Sequence, residues 1–119
     1  LVTPHADPAL VRAAKARGML ACPGFFTPAE AFALLRAGAD ALKLFPAEAA
    51  SPAVLRALRA VLPPGTAVLP VGGMDAASIP GWRDAGAAGF GIGSALYRPG
   101  DTPEAVAGRA RALLAALAG

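Results

Sequence analysis

Ala41-Leu42-Lys43-Leu44-Phe45-Pro46 is the stretch that decides how this 119-residue chain folds. The run is too short for a helix, is apolar except for one lysine, and stops at a proline. A strand alternates its faces, so Leu42 and Leu44 point together toward covering helices and Lys43 points the opposite way. Four more apolar runs, starting near Leu1, Leu20, Ala67 and Ala88, place the five at intervals of 19 to 26 residues. Each ends in Pro or Gly, as buried parallel strands do.

What lies between the runs is equally regular. Asp7-Pro8, Thr27-Pro28, Ser51-Pro52 and Thr102-Pro103 each put an N-cap residue before a proline at the first helical position. Thr27 with Glu30 has the spacing of a capping box. Apolar stripes follow at helical spacing: Leu10, Val11 and Ala14; Phe32 and Leu35; Val54, Leu55, Leu58, Val61 and Leu62; Val106, Leu113 and Leu117. Gly18 and Gly38 sit where C-caps belong, Pro63-Pro64-Gly65 stops the third helix, and a further helical stretch is expected from near Asp75. The repeated strand-helix unit means an α/β fold with an all-parallel sheet and helices outside it. Two architectures accommodate it. One is a five-stranded doubly wound sheet of about this length. The other is part of a (β/α)8 TIM barrel, which needs at least about 200 residues when whole.

Composition narrows the function classes. Hydrophobic residues make up 55% and charged residues 16%, the reverse of a disordered chain. Alanine-rich helices explain the hydropathy, and no membrane span is expected. The net charge of +3 comes from basic residues scattered singly, without the Lys/Arg runs of a nucleic-acid surface. Cys22 stands alone, so no disulfide framework is expected, and a reducing compartment, the cytoplasm, fits best. His5 is the only histidine; neither a His-based metal site nor a Ser-His-Asp set can be assembled, and no metal or cofactor is expected.

The chemistry centres on Lys43. In a barrel its direction leads to the centre, where desolvation favours the free amine, and a free amine attacks a carbonyl to give a Schiff base. The structural alternative is a stem that snorkels to solvent; Lys15, beside Arg12 on a polar helix face, is read as solvated. Val71-Gly72-Gly73 ends the fourth run, and Gly89-Phe90-Gly91-Ile92-Gly93-Ser94 ends the fifth and enters a short helix, Ala95-Leu96-Tyr97. Glycines let backbone N–H groups approach an anion, and loops of this kind after consecutive final strands match the phosphate site of (β/α)8 barrels. Tight turning is the alternative use of those glycines. Glu48, five residues past Lys43, has the type for proton transfer and equally for a loop role. Pro4, Pro23-Gly24 and Phe45 lie at strand ends, where they line a pocket or simply turn the chain. Arg98 faces either a phosphate or solvent, and Trp82 reads as packing.

Taken together, Val2-Thr3-Pro4, Cys22-Pro23-Gly24, Thr27-Pro28-Ala29-Glu30-Ala31, Gly38 through Glu48, Val71-Gly72-Gly73 and Gly91-Ile92-Gly93-Ser94-Ala95-Leu96-Tyr97-Arg98 resemble the 2-keto-3-deoxy-6-phosphogluconate/galactonate aldolases. The resemblance implies a metal-independent class I aldolase on a (β/α)8 barrel, with residues 1–119 the C-terminal part of that single domain, about strands 4 to 8. It implies Lys43 as the catalytic Schiff-base lysine and Gly72, Gly73, Gly93 and Ser94 as holders of the 6-phosphate. Pro4 and Phe45 would border the pyruvyl part. The partners implied are a phosphorylated keto-deoxy sugar acid, pyruvate and glyceraldehyde 3-phosphate, in a homotrimer. Val71 and the Ser94–Gly100 stretch look closer to the galactonate branch, since the gluconate branch more often carries Thr at the place of Val71.

The resemblance also implies three strands upstream, carrying a general acid/base Glu and an Arg for the substrate carboxylate. The chain is therefore expected to be a fragment, and by itself a poor catalyst, because C–C cleavage needs a proton carrier besides the amine. A second reading is a non-catalytic phosphate-binding half-barrel that assembles with a partner. A response-regulator-like domain is excluded, because Leu1-Val2-Thr3-Pro4-His5 lacks the acidic cluster such domains need.

Overall fold

The computed structural model describes all 119 residues, Leu1–Gly119. In chain order the elements are α1 (Pro8–Lys15), β1 (Gly24–Phe25), α2 (Pro28–Arg36), β2 (Leu42–Leu44), a 3₁₀ turn (Ala47–Ala49), α3 (Pro52–Val61), β3 (Val68–Pro70), α4 (Ile79–Asp84) and α5 (Pro103–Ala118). All four expected N-caps form. Asp7 Oδ1 accepts from the Ala9 and Leu10 N–H groups, Ser51 from Val54, and Thr102 from Ala105. Thr27 Oγ1 accepts from Glu30 N–H while the Glu30 carboxylate accepts from Thr27 N–H, closing the capping box. Each cap satisfies a backbone donor that the first helical turn leaves without a partner.

Two helical expectations are corrected. α4 starts at Ile79 rather than near Asp75, because Asp75 and Ser78 bond reciprocally in a turn of their own: Asp75 N–H to Ser78 Oγ at 3.0 Å and Ser78 N–H to Asp75 Oδ1 at 2.8 Å. Ala95-Leu96-Tyr97 is a single turn rather than a helix; Leu96 and Tyr97 N–H both go to Gly93 O, and nothing propagates beyond them.

β2 is the middle of a parallel three-stranded sheet of order β1-β2-β3. Gly24 stands opposite Lys43, and Lys43 opposite Leu69. Single parallel bridges extend this array on both sides, Val2 with Cys22 and Val71 with Gly91. The first and fifth expected strands thus shrink to one bridge each. Each has a neighbour on one side only, and the fifth run is glycine-rich, which weakens a strand. The order runs straight through the sequence, without the reversal that defines a doubly wound sheet.

The helices bury one ridge apiece against the sheet: Val11 and Ala14 from α1, Ala31 and Leu34 from α2, Leu55 and Leu58 from α3. They meet Leu42, Leu44 and Val68, with Trp82 closing the core as packing. The expected stripes were too broad. Leu10, Val54, Val61 and Leu117 are exposed, and Leu34, rather than its half-buried neighbours Phe32 and Leu35, is the inner residue of α2. A helix on a sheet hides a narrow strip, and residues beside that strip face water. No helix is long and apolar enough to cross a membrane.

Candidate functional site

Lys43 stands at the middle of the middle strand. Leu42 and Leu44 on either side are fully buried under the helices, which directs the half-buried Lys43 to the opposite face of the sheet. Its amine has no ion-pair or hydrogen-bond partner within the chain and lies 4.4 Å from the centroid of the Phe45 ring. Lys15 contrasts with it. Lys15 is not merely solvated but holds both oxygens of Asp40 at 2.8 Å. That contact, and the Ala21 N–H bonded to Asp40, keep the Asp40 carboxyl below its ordinary range.

The face around Lys43 is assembled from β1 and the segment before it. Gly24 is its neighbour in register, and Cys22, two residues earlier, points to the same side. Burial pushes the Cys22 thiol up, with the Lys43 charge opposing part of that effect. Pro4 lies against Gly24 so closely that a β-carbon there would stand 2.6 Å from the Pro4 carbonyl carbon. The Thr3 hydroxyl bonds this level together, donating to His5 O at 2.7 Å and accepting from Gly24 N–H at 3.2 Å. His5 itself is an exposed loop residue.

Past the ends of β3 and of the Gly91 segment lies a cavity of about 410 Å³. Gly72, Gly73, Gly93 and Ser94 meet on its wall, so the two glycine loops converge in space as their positions on consecutive strands suggested. Gly72 and Gly73 both have positive φ, 108° and 64°, which other residues adopt only with strain. Gly93 differs: its φ is ordinary and no atom lies within 4 Å of the place a β-carbon would take. Its small size is not required by the chain, and the space above it is the cavity. Arg98 also reaches this wall, its Nε donating to Ser94 O at 3.1 Å. Lys43, Phe45 and Pro4 do not line the cavity; Lys43 lies on β2, Phe45 directly follows that strand, and Pro4 packs against Gly24 of β1.

Glu48 is the residue whose place was not legible. Ala47 N–H donates to Val71 O at 2.9 Å, pinning the 3₁₀ turn against the end of the neighbouring strand and laying Glu48 over Gly72 and Gly73 on the cavity wall. Local bonds from Ala49 N–H to Pro46 O and from Ala50 N–H to Ala47 O shape the turn, and the cross-strand bond docks it. The fold thus carries a primary amine with no partner in the chain on β2 and, past the ends of the following strands, a pocket lined by glycines, a serine, a guanidinium and the Glu48 carboxylate; all but the last of these suit an anion.

The model of the KDPG and KHG aldolase family matches residues 1–104. The 2-dehydro-3-deoxy-6-phosphogalactonate aldolase of Escherichia coli (strain K12) is 47% identical over 116 residues, which are 98% of this chain and 57% of that protein. The solved native KDPGal structure superposes with a TM-score of 0.95 at 46% identity, over 98% of this chain and 57% of that one. A solved 4-hydroxy-2-oxoglutarate/2-dehydro-3-deoxyphosphogluconate aldolase gives 0.83 at 35% identity, with the same coverage. The chain thus spans a little over half the length of these relatives. On the family match and the likeness to these relatives, the chain belongs to the KDPG and KHG aldolase family.

Proposed function

We propose that residues 1–119 are the C-terminal part of one (β/α)8 barrel domain, about strands 4 to 8, of a class I aldolase. The reaction is cleavage of 2-dehydro-3-deoxy-6-phospho-D-galactonate to pyruvate and D-glyceraldehyde 3-phosphate. The observation that carries this reading is the pairing of an unpartnered lysine amine, mid-strand, with an anion-suited cavity at the ends of the next strands. The sequential strand order and the likeness to the KDPGal structure support the barrel.

In this mechanism the Lys43 amine adds to the C2 ketone, water leaves, and the imine takes up a proton from solvent, giving a protonated imine. A base removes the C4 hydroxyl proton, the C3–C4 bond breaks, and its electron pair passes into the imine to form an enamine. Glyceraldehyde 3-phosphate departs as the aldehyde. Protonation at C3 and addition of water then release pyruvate and restore the amine. The imine is the electron sink, so the steps call on no cofactor. Gly72, Gly73, Gly93 and Ser94 hold the 6-phosphate, Arg98 adds positive charge, and Pro4 and Phe45 border the pyruvyl part. The base is assigned to a Glu from the strands that precede these five in the proposed barrel. The same proposal takes the protein as a cytoplasmic homotrimer. Val71, whose methyl groups crowd Gly91 on the cavity wall, favours the galactonate over the gluconate substrate.

Borohydride reduction in the presence of pyruvate tests this directly. The expected product is a reduced pyruvyl adduct on Lys43 and none on Lys15, located by peptide mapping. A folded protein that takes no adduct would leave the non-catalytic phosphate-binding half-barrel in its place.

A further inference from the structure

Glu48 is a carboxylate in a place otherwise built for an anion. It reaches over the Gly72-Gly73 turn so closely that a β-carbon on Gly73 would lie 2.7 Å from its Cγ, and one on Gly72 2.8 Å from its Cδ. The double glycine therefore makes room for Glu48 as well as for a ligand. Glu48 forms no hydrogen bond or ion pair within the chain, although Arg98 stands on the same cavity wall. A bare carboxylate beside a bound phosphate dianion is repulsive. The repulsion is offset when the ligand also brings a hydroxyl that can donate to the carboxylate, since hydrogen bonds to charged acceptors are among the stronger ones.

We propose that Glu48 is a specificity-determining residue of this cavity, accepting a hydrogen bond from the hydroxyl on the carbon next to a phosphate ester and so selecting hydroxylated sugar phosphates over bare phosphates. The proposal rests on the phosphate reading of the cavity and is independent of imine chemistry at Lys43. Glu48 is exposed and free to take such a partner in place of water, and the proposal explains why an acid is placed beside glycines that would otherwise bind any phosphate.

The test compares glycerol 3-phosphate, which carries the adjacent hydroxyl, with n-propyl phosphate, which does not. Both are titrated by calorimetry into the full-length protein, its Glu48→Ala variant and its Glu48→Gln variant. The wild type is expected to prefer glycerol 3-phosphate by about tenfold, the size of one charge-assisted hydrogen bond. Glu48→Ala should bring the two ligands within about twofold of each other while binding n-propyl phosphate at least as tightly as the wild type. Glu48→Gln keeps an acceptor oxygen without the charge, so it should retain a reduced preference and bind n-propyl phosphate more tightly. A preference that persists in Glu48→Ala, or equal binding of both ligands by the wild type, would overturn the assignment. Failure of the wild type to bind either ligand would overturn it together with the phosphate reading, whereas absence of a pyruvate adduct on Lys43 would touch only the aldolase reading.

Discussion

A β-carbon added to Gly24 would lie 2.6 Å from Pro4 C and 2.8 Å from Thr3 O, both backbone atoms that cannot rotate away. A β-carbon added to Gly93 would meet nothing within 4 Å. The first glycine is required by packing against the Thr3-Pro4 backbone, and the second is not required by packing at all. Gly24→Ala is therefore expected to lower stability by about 1–3 kcal/mol, the usual cost of overpacking, read from urea unfolding. Gly93→Ala should leave stability within about 0.5 kcal/mol while weakening glycerol 3-phosphate binding several-fold. An unfolding midpoint that drops with Gly93→Ala would assign that glycine to the fold instead. Legibility follows the same division. Lys43 announces itself as one charge in an apolar strand, and its direction follows from strand alternation. Glu48 gives no such signal, because the hydrogen bond that places it joins Ala47 to Val71, more than twenty residues away in sequence.

At the scale of the element, α2 shows how far local chemistry reaches. Thr27 and Glu30 form its capping box, and the Glu30 carboxylate accepts from Phe26 N–H at 2.9 Å, Thr27 N–H at 2.8 Å and Thr27 Oγ1 at 3.0 Å. The backbone bonds from Phe26 and Thr27 hold the Glu30 carboxyl below its ordinary range. A carboxyl whose folded value lies below its unfolded value, near pH 4.3, stabilises the fold above that pH. The contribution is lost as pH falls through the folded value. Melting followed from about pH 6 to pH 3 should accordingly decline less steeply in Glu30→Gln than in the wild type. Thr27→Ala, which removes the cap itself, should cost about 1 kcal/mol. Equal pH slopes for wild type and Glu30→Gln would show that other carboxyls dominate acid unfolding. Such caps lie within three residues of their partners, so the starts of α1, α2, α3 and α5 were legible. The start of α4 was not, because Asp75 and Ser78 use equally good capping types to close a separate turn. The widths of the apolar stripes are not legible for another reason: whether Val54 or Leu55 is inner depends on how α3 sits on the sheet, which periodicity alone leaves open.

At the scale of the whole molecule, the five segments form an open parallel array whose middle is hydrogen-bonded on both sides and whose rims are not. β2 donates Leu42 N–H to Ala67 O at 2.8 Å on one side and Lys43 N–H to Pro23 O at 2.9 Å on the other. At the rims the array holds by one bridge each, Val2 with Cys22 and Gly91 with Val71, and Val2 and Leu20 stand 69% and 75% exposed. Local opening is easiest where few contacts must break. In the 119-residue chain the amides of Cys22 and Gly91 should therefore exchange with solvent at least about tenfold faster than that of Lys43. A rim strand with an unpaired side is also a template for another strand. In the closed barrel proposed for the whole protein, both rims acquire a neighbour, the Cys22 and Gly91 amides become interior, and their protection should rise to match Lys43. Hydrogen exchange by NMR on the 119-residue chain and on a longer protein carrying the preceding strands separates the cases. Rims that stay fast in the longer protein would count against closure, and rims already slow in the shorter chain would point to pairing between copies. Either result would set the proposed closed barrel aside, and with it an enclosed position for Lys43 and the glycine loops.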